Sequence, residues 1–299
     1  MTDVSSFDGT RLAIKAWGPA EAPIVLLVHG LGMSAESWGR VPELLAGGHR
    51  LIAYDLRGHG ASGDAQAGGY VMSAHARDLG AVLDAVVPDG GQVFVVAHSL
   101  GGGILLAHAD AAGTDRIAGA VLAGSGGSAV TAIGLPARRL PPWARACVRA
   151  AWLAVLRAGA RLGRRIRPVR AVSDRLIRRF AFAPGEPAHL VERVRDNFLG
   201  SRPAALAGTT LASVSHDGAR LAPALGVPTL VVHGSADPEV SDDDVQELMA
   251  GLPDGELVTL PGAGHMLPLT HPEIVVEQVT RWMDRVAYAA PGDDAAAAR

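Results

Sequence analysis

One serine sits where an apolar strand turns sharply into a helix, in Val93-Phe94-Val95-Val96-Ala97-His98-Ser99-Leu100-Gly101-Gly102-Gly103. This matches the G-x-S-x-G nucleophile elbow except at its first position, where Ala97 replaces glycine. Small residues on either side relieve crowding in a strained turn and let the serine hydroxyl project above a sheet edge. The competing structural role for Ser99 is capping of the following helix, which serine favours. A serine acting as nucleophile needs an imidazole base, and the imidazole works best when a buried carboxylate fixes its tautomer. Thr229-Leu230-Val231-Val232-His233-Gly234-Ser235-Ala236-Asp237 places a carboxylate just beyond an apolar run, and Leu257-Val258-Thr259-Leu260-Pro261-Gly262-Ala263-Gly264-His265 places a histidine on a glycine-rich loop beyond the next. Ser99, Asp237 and His265 therefore form a candidate triad. The glycine-bearing loop His29-Gly30-Leu31-Gly32-Met33 can aim a backbone N–H at a developing oxyanion, with the N–H of Leu100 as the second donor. His29 is expected to hold that loop, and His98 to pack. In Asp55-Leu56-Arg57-Gly58-His59-Gly60 an Asp55–Arg57 pair is expected to order a turn rather than to do chemistry.

These residues need a frame that brings distant turns together. Short apolar runs recur at Ile24–Val28, Leu51–Tyr54, Val93–Ala97, Ala120–Ala123, Thr229–Val232 and Leu257–Leu260, and read as buried strands. Segments with helical character lie between several of them, at Val71–Val87, Leu100–Ala112 and Asp243–Ala250. Strands alternating with helices predict a mostly parallel α/β sheet, whose ligands bind beyond the carboxyl ends of the strands. An Asp8-Gly9 turn predicts a leading hairpin. Between about Gly126 and Ala207 prolines and Arg-rich helical stretches replace the strands, so the reading is a core of residues 1–125 and 208–288, an inserted helical cap at 126–207 and a frayed tail at 289–299.

Composition narrows the function classes. The 299 residues are 48% hydrophobic, ample for a large core. There is no apolar run of about 18 residues and no signal-peptide pattern after Met1, which makes a soluble cytoplasmic protein the default. The single cysteine, Cys147, excludes an intramolecular disulfide and is expected to be packed, and no zinc spacing appears. Thirteen of the 27 basic residues fall in Arg138–Arg179 beside a single acid, Asp174, so this segment carries about +12 and the rest about −15. That distribution argues against a nucleic-acid binder and for one basic module, with attraction to a membrane surface or to anionic substrates permitted but not required. Trp143, Cys147, Ala151 and Val155 recur every four residues. This apolar stripe is expected to pack on the core or wall an acyl pocket with Met33 and Met266. Nothing in the pattern specifies an oligomeric state.

The chain resembles the α/β-hydrolase superfamily through His29-Gly30, Asp55-Leu56-Arg57-Gly58-His59-Gly60, His98-Ser99-Leu100-Gly101-Gly102, Gly234-Ser235-Ala236-Asp237 and Gly264-His265, over nearly its whole length. The resemblance implies an eight-stranded sheet, a helical cap inserted after strand six, and a site between them. Relatives with aspartate at the elbow open epoxides or displace halides, and Ser99 argues against both. The expected activity is hydrolysis of a lipophilic carboxylic ester through an acyl-enzyme, without metal or organic cofactor. The alternatives are a thioesterase or acyltransferase acting on an acyl thioester, and a non-enzymatic small-molecule receptor on the same fold. An unperturbed imidazole base would make activity rise between about pH 6 and 8.

Overall fold

The computed structural model describes residues 3–127, 141–162 and 167–289. It opens with the expected hairpin, β1 (Val4–Ser5) against β2 (Arg11–Leu12), closed by a turn in which the Thr10 N–H donates to Asp8 Oδ1 at 3.1 Å. β3 (Ile14–Trp17) follows, then β4 (Ile24–Val28), α1 (Val41–Leu45), β5 (Arg50–Tyr54), α2 (Met72–Val86), β6 (Val93–His98), α3 (Leu100–Ala112) and β7 (Ile117–Ala123). Four helices come next: α4 (Pro142–Leu162), α5 (Arg167–Ala181), α6 (Ala188–Gly200) and α7 (Pro203–Val214). The short α8 (Gly218–Leu221) leads into β8 (Thr229–Gly234), α9 (Asp242–Gly251), β9 (Gly255–Leu260), α10 (Leu267–Thr270) and α11 (Pro272–Ala289).

The sheet order is β3-β5-β4-β6-β7-β8-β9, antiparallel only at β3–β5. The continuous apolar runs follow from burial on both faces, and the strand period of two divides them between layers. Leu26, Val28, Ile52, Tyr54, Val95 and Ala97 face α2 and α3 in a core with Leu79, Leu83 and Ile104. Val25, Leu27, Leu51, Ala53 and Val96 face the opposite layer, where α1 and α11 supply Val41, Leu45, Val279 and Trp282.

Three sequence expectations change. Among the described residues the central sheet has seven strands, because β1 and β2 pair only with each other. Two-residue strands offer little ladder, and side chains hold this hairpin instead: Ser6 Oγ donates to Asp78, and Arg57 pairs with Asp8. Helices α4–α7 fall between β7 and β8, and residue 207, the expected end of the insertion, lies inside α7, which continues to Val214. Gly208 lets that helix approach closely, since a Cβ there would lie 2.6 Å from the Cβ of Tyr70. Cys147 is exposed rather than packed. Of the expected tail only Ala289, the last residue of α11, lies within the described residues.

Candidate active site

Ser99 is the only non-glycine with positive φ among the described residues, at φ 54° and ψ −120°. Such a backbone costs on the order of 1–3 kcal/mol and persists only where its surroundings hold it. Here the Ser99 N–H donates to Ala123 O at 2.9 Å, and Ser99 O accepts from the Gly102 N–H at 2.9 Å and from Ser125 Oγ at 3.0 Å. The helix can start this close to the sheet because Gly101 lacks a Cβ, which would stand 2.3 Å from Val28 O. At the neighbouring strand end a Cβ on Gly30 would meet the Ser99 Cβ at 3.1 Å, so the loop after β4 passes directly beside the serine. That loop turns through Met33 N–H to Gly30 O at 3.2 Å and carries Leu31 at its apex. Leu100 opens α3, where the first backbone N–H groups have no intrahelical acceptor. The two candidate oxyanion donors thus belong to turns that flank Ser99.

The candidate acid and base are hydrogen-bonded to each other. His265 Nδ1–H donates to Asp237 Oδ2 at 2.9 Å, with both side chains buried. Asp237 Oδ1 accepts the N–H groups of Glu239 at 2.8 Å and Val240 at 3.0 Å. Burial alone would raise the Asp237 carboxyl, but His265 and these backbone donors hold it below the usual carboxylate range. Ser99 and His265 converge on Gly124, the first residue after β7. Its neighbour Ala123 accepts from the Ser99 N–H, and a Cβ on Gly124 would lie 3.3 Å from His265 Nδ1. Among the described residues no hydrogen bond joins Ser99 Oγ to His265. His265 Nε2 lies instead 3.2 Å from Glu239 Oε2. Burial would lower the imidazole pKa, but the Asp237 and Glu239 carboxylates overcome it and raise it to about 9.

Glu239 is not among the sequence candidates, and its signal there is an acid two residues after Asp237. His98 is expected only to pack. His98 does pack, edge-on to Trp38, but its Nε2–H also donates to His265 O at 3.0 Å. Burial lowers the His98 pKa to about 3, so the ring is neutral and can hold the base loop without adding charge. His29 behaves as expected: Leu56 N–H donates to its Nε2 at 3.0 Å, leaving Nδ1–H to donate to Gly30 O at 2.8 Å.

The expected Asp55–Arg57 pair does not form. Asp55 accepts the N–H groups of Ala35 and Ala61, both at 2.7 Å, and so fixes the loop beside the site. Arg57 is fully buried and turns away to Asp78, with Nε to Oδ2 and Nη2 to Oδ1 both at 2.6 Å. The reason is geometric, since the planar guanidinium finds a matched carboxylate fork on α2 while the loop backbone occupies both oxygens of Asp55.

Of the four candidate pocket residues, the structure brings two together. Met33 and Met266, each beside an element of the site, are buried in one cluster with Ala181, Phe182, Val191 and Val194 from α5, α6 and the turn between them. Trp143 and Val155 do not join it. They are 72% and 67% exposed on α4, as is Cys147 on the same stripe. A four-residue apolar repeat marks a helix stripe but does not say which stripe finds a partner, and α4 packs on α6 and α7 by another side. A cavity of about 960 Å³ lined by Phe7, Ile14, Arg77 and His108 sits at the far end of α3 from Ser99. It is remote from this chemistry. The described residues contain no cluster of metal-ligating side chains and no helix long and apolar enough to cross a membrane.

A mostly parallel sheet with a strained serine elbow and an Asp–His pair at its carboxyl edge defines a class, and the comparisons agree with it. Residues 25–278 match the alpha/beta hydrolase family, and the chain belongs to that family. It is 33% identical to a putative carbamate hydrolase, RutD, of Variovorax paradoxus, across 94% of this chain and 98% of that relative. It is 37% identical over 123 residues to a non-heme chloroperoxidase of Streptomyces lividans; that match spans 41% of this chain and 44%, less than half, of the relative. Among solved structures, a malate-bound thermophilic esterase from Thermogutta terrifontis aligns with a TM-score of 0.75 and 25% identity, covering 95% of this chain and 98% of the esterase. Family membership with hydrolase and esterase relatives supports an enzyme.

Proposed function

We propose that the protein hydrolyses lipophilic carboxylic esters through an acyl-enzyme on Ser99. In this reading Ser99 attacks the carbonyl, His265 takes the hydroxyl proton and returns it to the leaving alcohol, and Asp237 orients His265. The N–H groups of Leu31 and Leu100 receive the oxyanion, and water releases the acid. The observation that carries the reading is the strained backbone of Ser99 at the sheet edge, beside the buried His265–Asp237 pair. A small molecule is the expected partner, held between the sheet edge and the α5–α6 layer, with the buried apolar cluster of Met33, Phe182 and Met266 favouring a lipophilic acyl group. A nitrophenyl-ester series of increasing acyl length, with fluorophosphonate labelling of the wild type and of Ser99→Ala, tests it. Labelling and turnover that both vanish in Ser99→Ala support the acyl-enzyme, and turnover that persists there with contaminating esterase excluded refutes it.

A second reading, hydrolysis of a carbamate by the same residues, is favoured by the near full-length likeness to the putative carbamate hydrolase. Product analysis separates the two, because a carbamate releases an amine or ammonia with carbon dioxide while an ester releases an alcohol and an acid.

A further inference from the structure

Glu239 stands where a serine hydrolase mechanism has least use for a carboxylate. Nε2 is the imidazole nitrogen that must be free to accept the Ser99 proton, since Nδ1 is committed to Asp237. Glu239 Oε2 lies 3.2 Å from that Nε2, in a side chain only 22% exposed. The placement follows from the backbone. Asp237 Oδ1 gathers the N–H groups of Glu239 and Val240 into a tight turn, Val240 is buried, and α9 is capped by Ser241 directly afterwards. Residue 239 therefore has little freedom to move its Cα away from the imidazole. The two carboxylates grip the ring from opposite nitrogens. The other titratable ring against it is His98 from the end of β6, 5.1 Å between centroids and neutral.

We infer that Glu239 is a positioning residue that keeps His265 as an imidazolium in the free enzyme, and that a substrate bound over Ser99 frees the base by displacing Glu239 from Nε2. The inference rests on the assignment of His265 as the base for Ser99. As Glu239 withdraws, His265 loses one of the two charges that hold its proton, and the Nε2 proton leaves to solvent water, giving a neutral imidazole with its lone pair toward Ser99. Glu239 is poorly held as a carboxylate where it stands, because burial and the nearby Asp237 charge raise its pKa to about 7 against the opposing pull of His265. Free His265, held by both carboxylates, is already protonated at neutral pH and cannot take the Ser99 proton. In the occupied site, with Glu239 gone from Nε2, it can.

The test reads His265 itself as well as turnover. Titration of the His265 ring by NMR in the intact, ligand-free protein should give a midpoint near 9. Glu239→Gln, which keeps the shape and removes the charge, should lower that midpoint by about one to two pH units, since removing an adjacent opposite charge destabilises the imidazolium. Glu239→Leu should do the same, and Glu239→Asp should fall between. In kinetics, the ascending limb of kcat/KM against pH should follow the free-enzyme midpoint, and kcat/KM at pH 7 should rise about tenfold or more in Glu239→Gln. The limb of kcat should lie below that of kcat/KM in the wild type only. An unmoved NMR midpoint in both Glu239→Gln and Glu239→Leu, with folding checked by their Tm, overturns the inference while leaving the Ser99 reading intact. A shifted midpoint accompanied by full activity in Ser99→Ala would overturn both. A merely structural Glu239 would change Tm and leave the midpoint and both limbs in place.

Discussion

At the level of single residues, the structure moves the pH behaviour away from what an isolated imidazole would show. A rise in activity between about pH 6 and 8 is expected of an unperturbed base. With His265 raised to about 9 by Asp237 and Glu239, the ascending limb of kcat/KM moves toward alkaline pH, and a bell centred below 7 would contradict it. The same shift has a stability consequence. A group whose folded pKa lies above its unfolded value stabilises the fold below that unfolded value and loses the contribution as pH rises through the folded one, here from about 6.5 to about 9. For turnover, Ser99→Ala and His265→Ala should each lower kcat by on the order of 10³-fold or more, because members of a catalytic unit fail nearly as completely singly as together. Asp237→Asn should lose less. Steady-state kinetics on a short-chain ester gives all three values.

At the level of elements, the buried Arg57 joins the leading hairpin, the loop after β5 and α2 through Asp8 and Asp78. Breaking a buried ion pair strands its partner, so Asp78→Ala should cost about 3–5 kcal/mol. Urea denaturation would show it as a lowered midpoint with an unchanged slope, and a loss below about 1 kcal/mol would mean that the pair is dispensable. The helical insertion carries a separate prediction. Phe182 and Val191 share the buried cluster of Met33 and Met266, whereas Trp143 points into solvent. Phe182→Ala should therefore change the ratio of long-chain to short-chain kcat/KM by about tenfold or more, by loss of about 1.5–3 kcal/mol of apolar contact. Trp143→Ala should leave that ratio within about twofold, as for an exposed position. Equal effects of the two substitutions would place the acyl pocket elsewhere.

At the level of the whole molecule, buried neutral histidines set the acid limit. His59, His98 and His216 are lowered by burial to about 4, about 3 and about 4, and His29 and His75 are lowered as well. The unfolded chain binds protons at these rings below about pH 6.5 while the folded chain does not, so stability falls as pH drops from there toward 4. Thermal unfolding followed by circular dichroism should give a Tm markedly lower at pH 4.5 than at 7.5, and a flat profile would show that these rings protonate without opening the fold. How much of this architecture is legible in the chain depends on range. The continuous apolar runs determine by themselves that buried parallel strands exist, because only two-sided burial tolerates Ile-Val-Leu-Leu-Val. Since parallel strands end at one edge, the order of turns after them also puts Ser99, Asp237 and His265 on loops at that same edge. What only the tertiary structure decided are choices among partners that local pattern leaves equivalent. Arg57 takes Asp78, across 21 residues, over its neighbour Asp55 because the loop backbone already claims Asp55. The Trp143 stripe faces water because α4 packs on α6 and α7 by another side. Glu239 reaches the free nitrogen of His265 because the turn that Asp237 builds from its own carboxylate points the next acid there, and a turn closed by two backbone donors is visible only once folded.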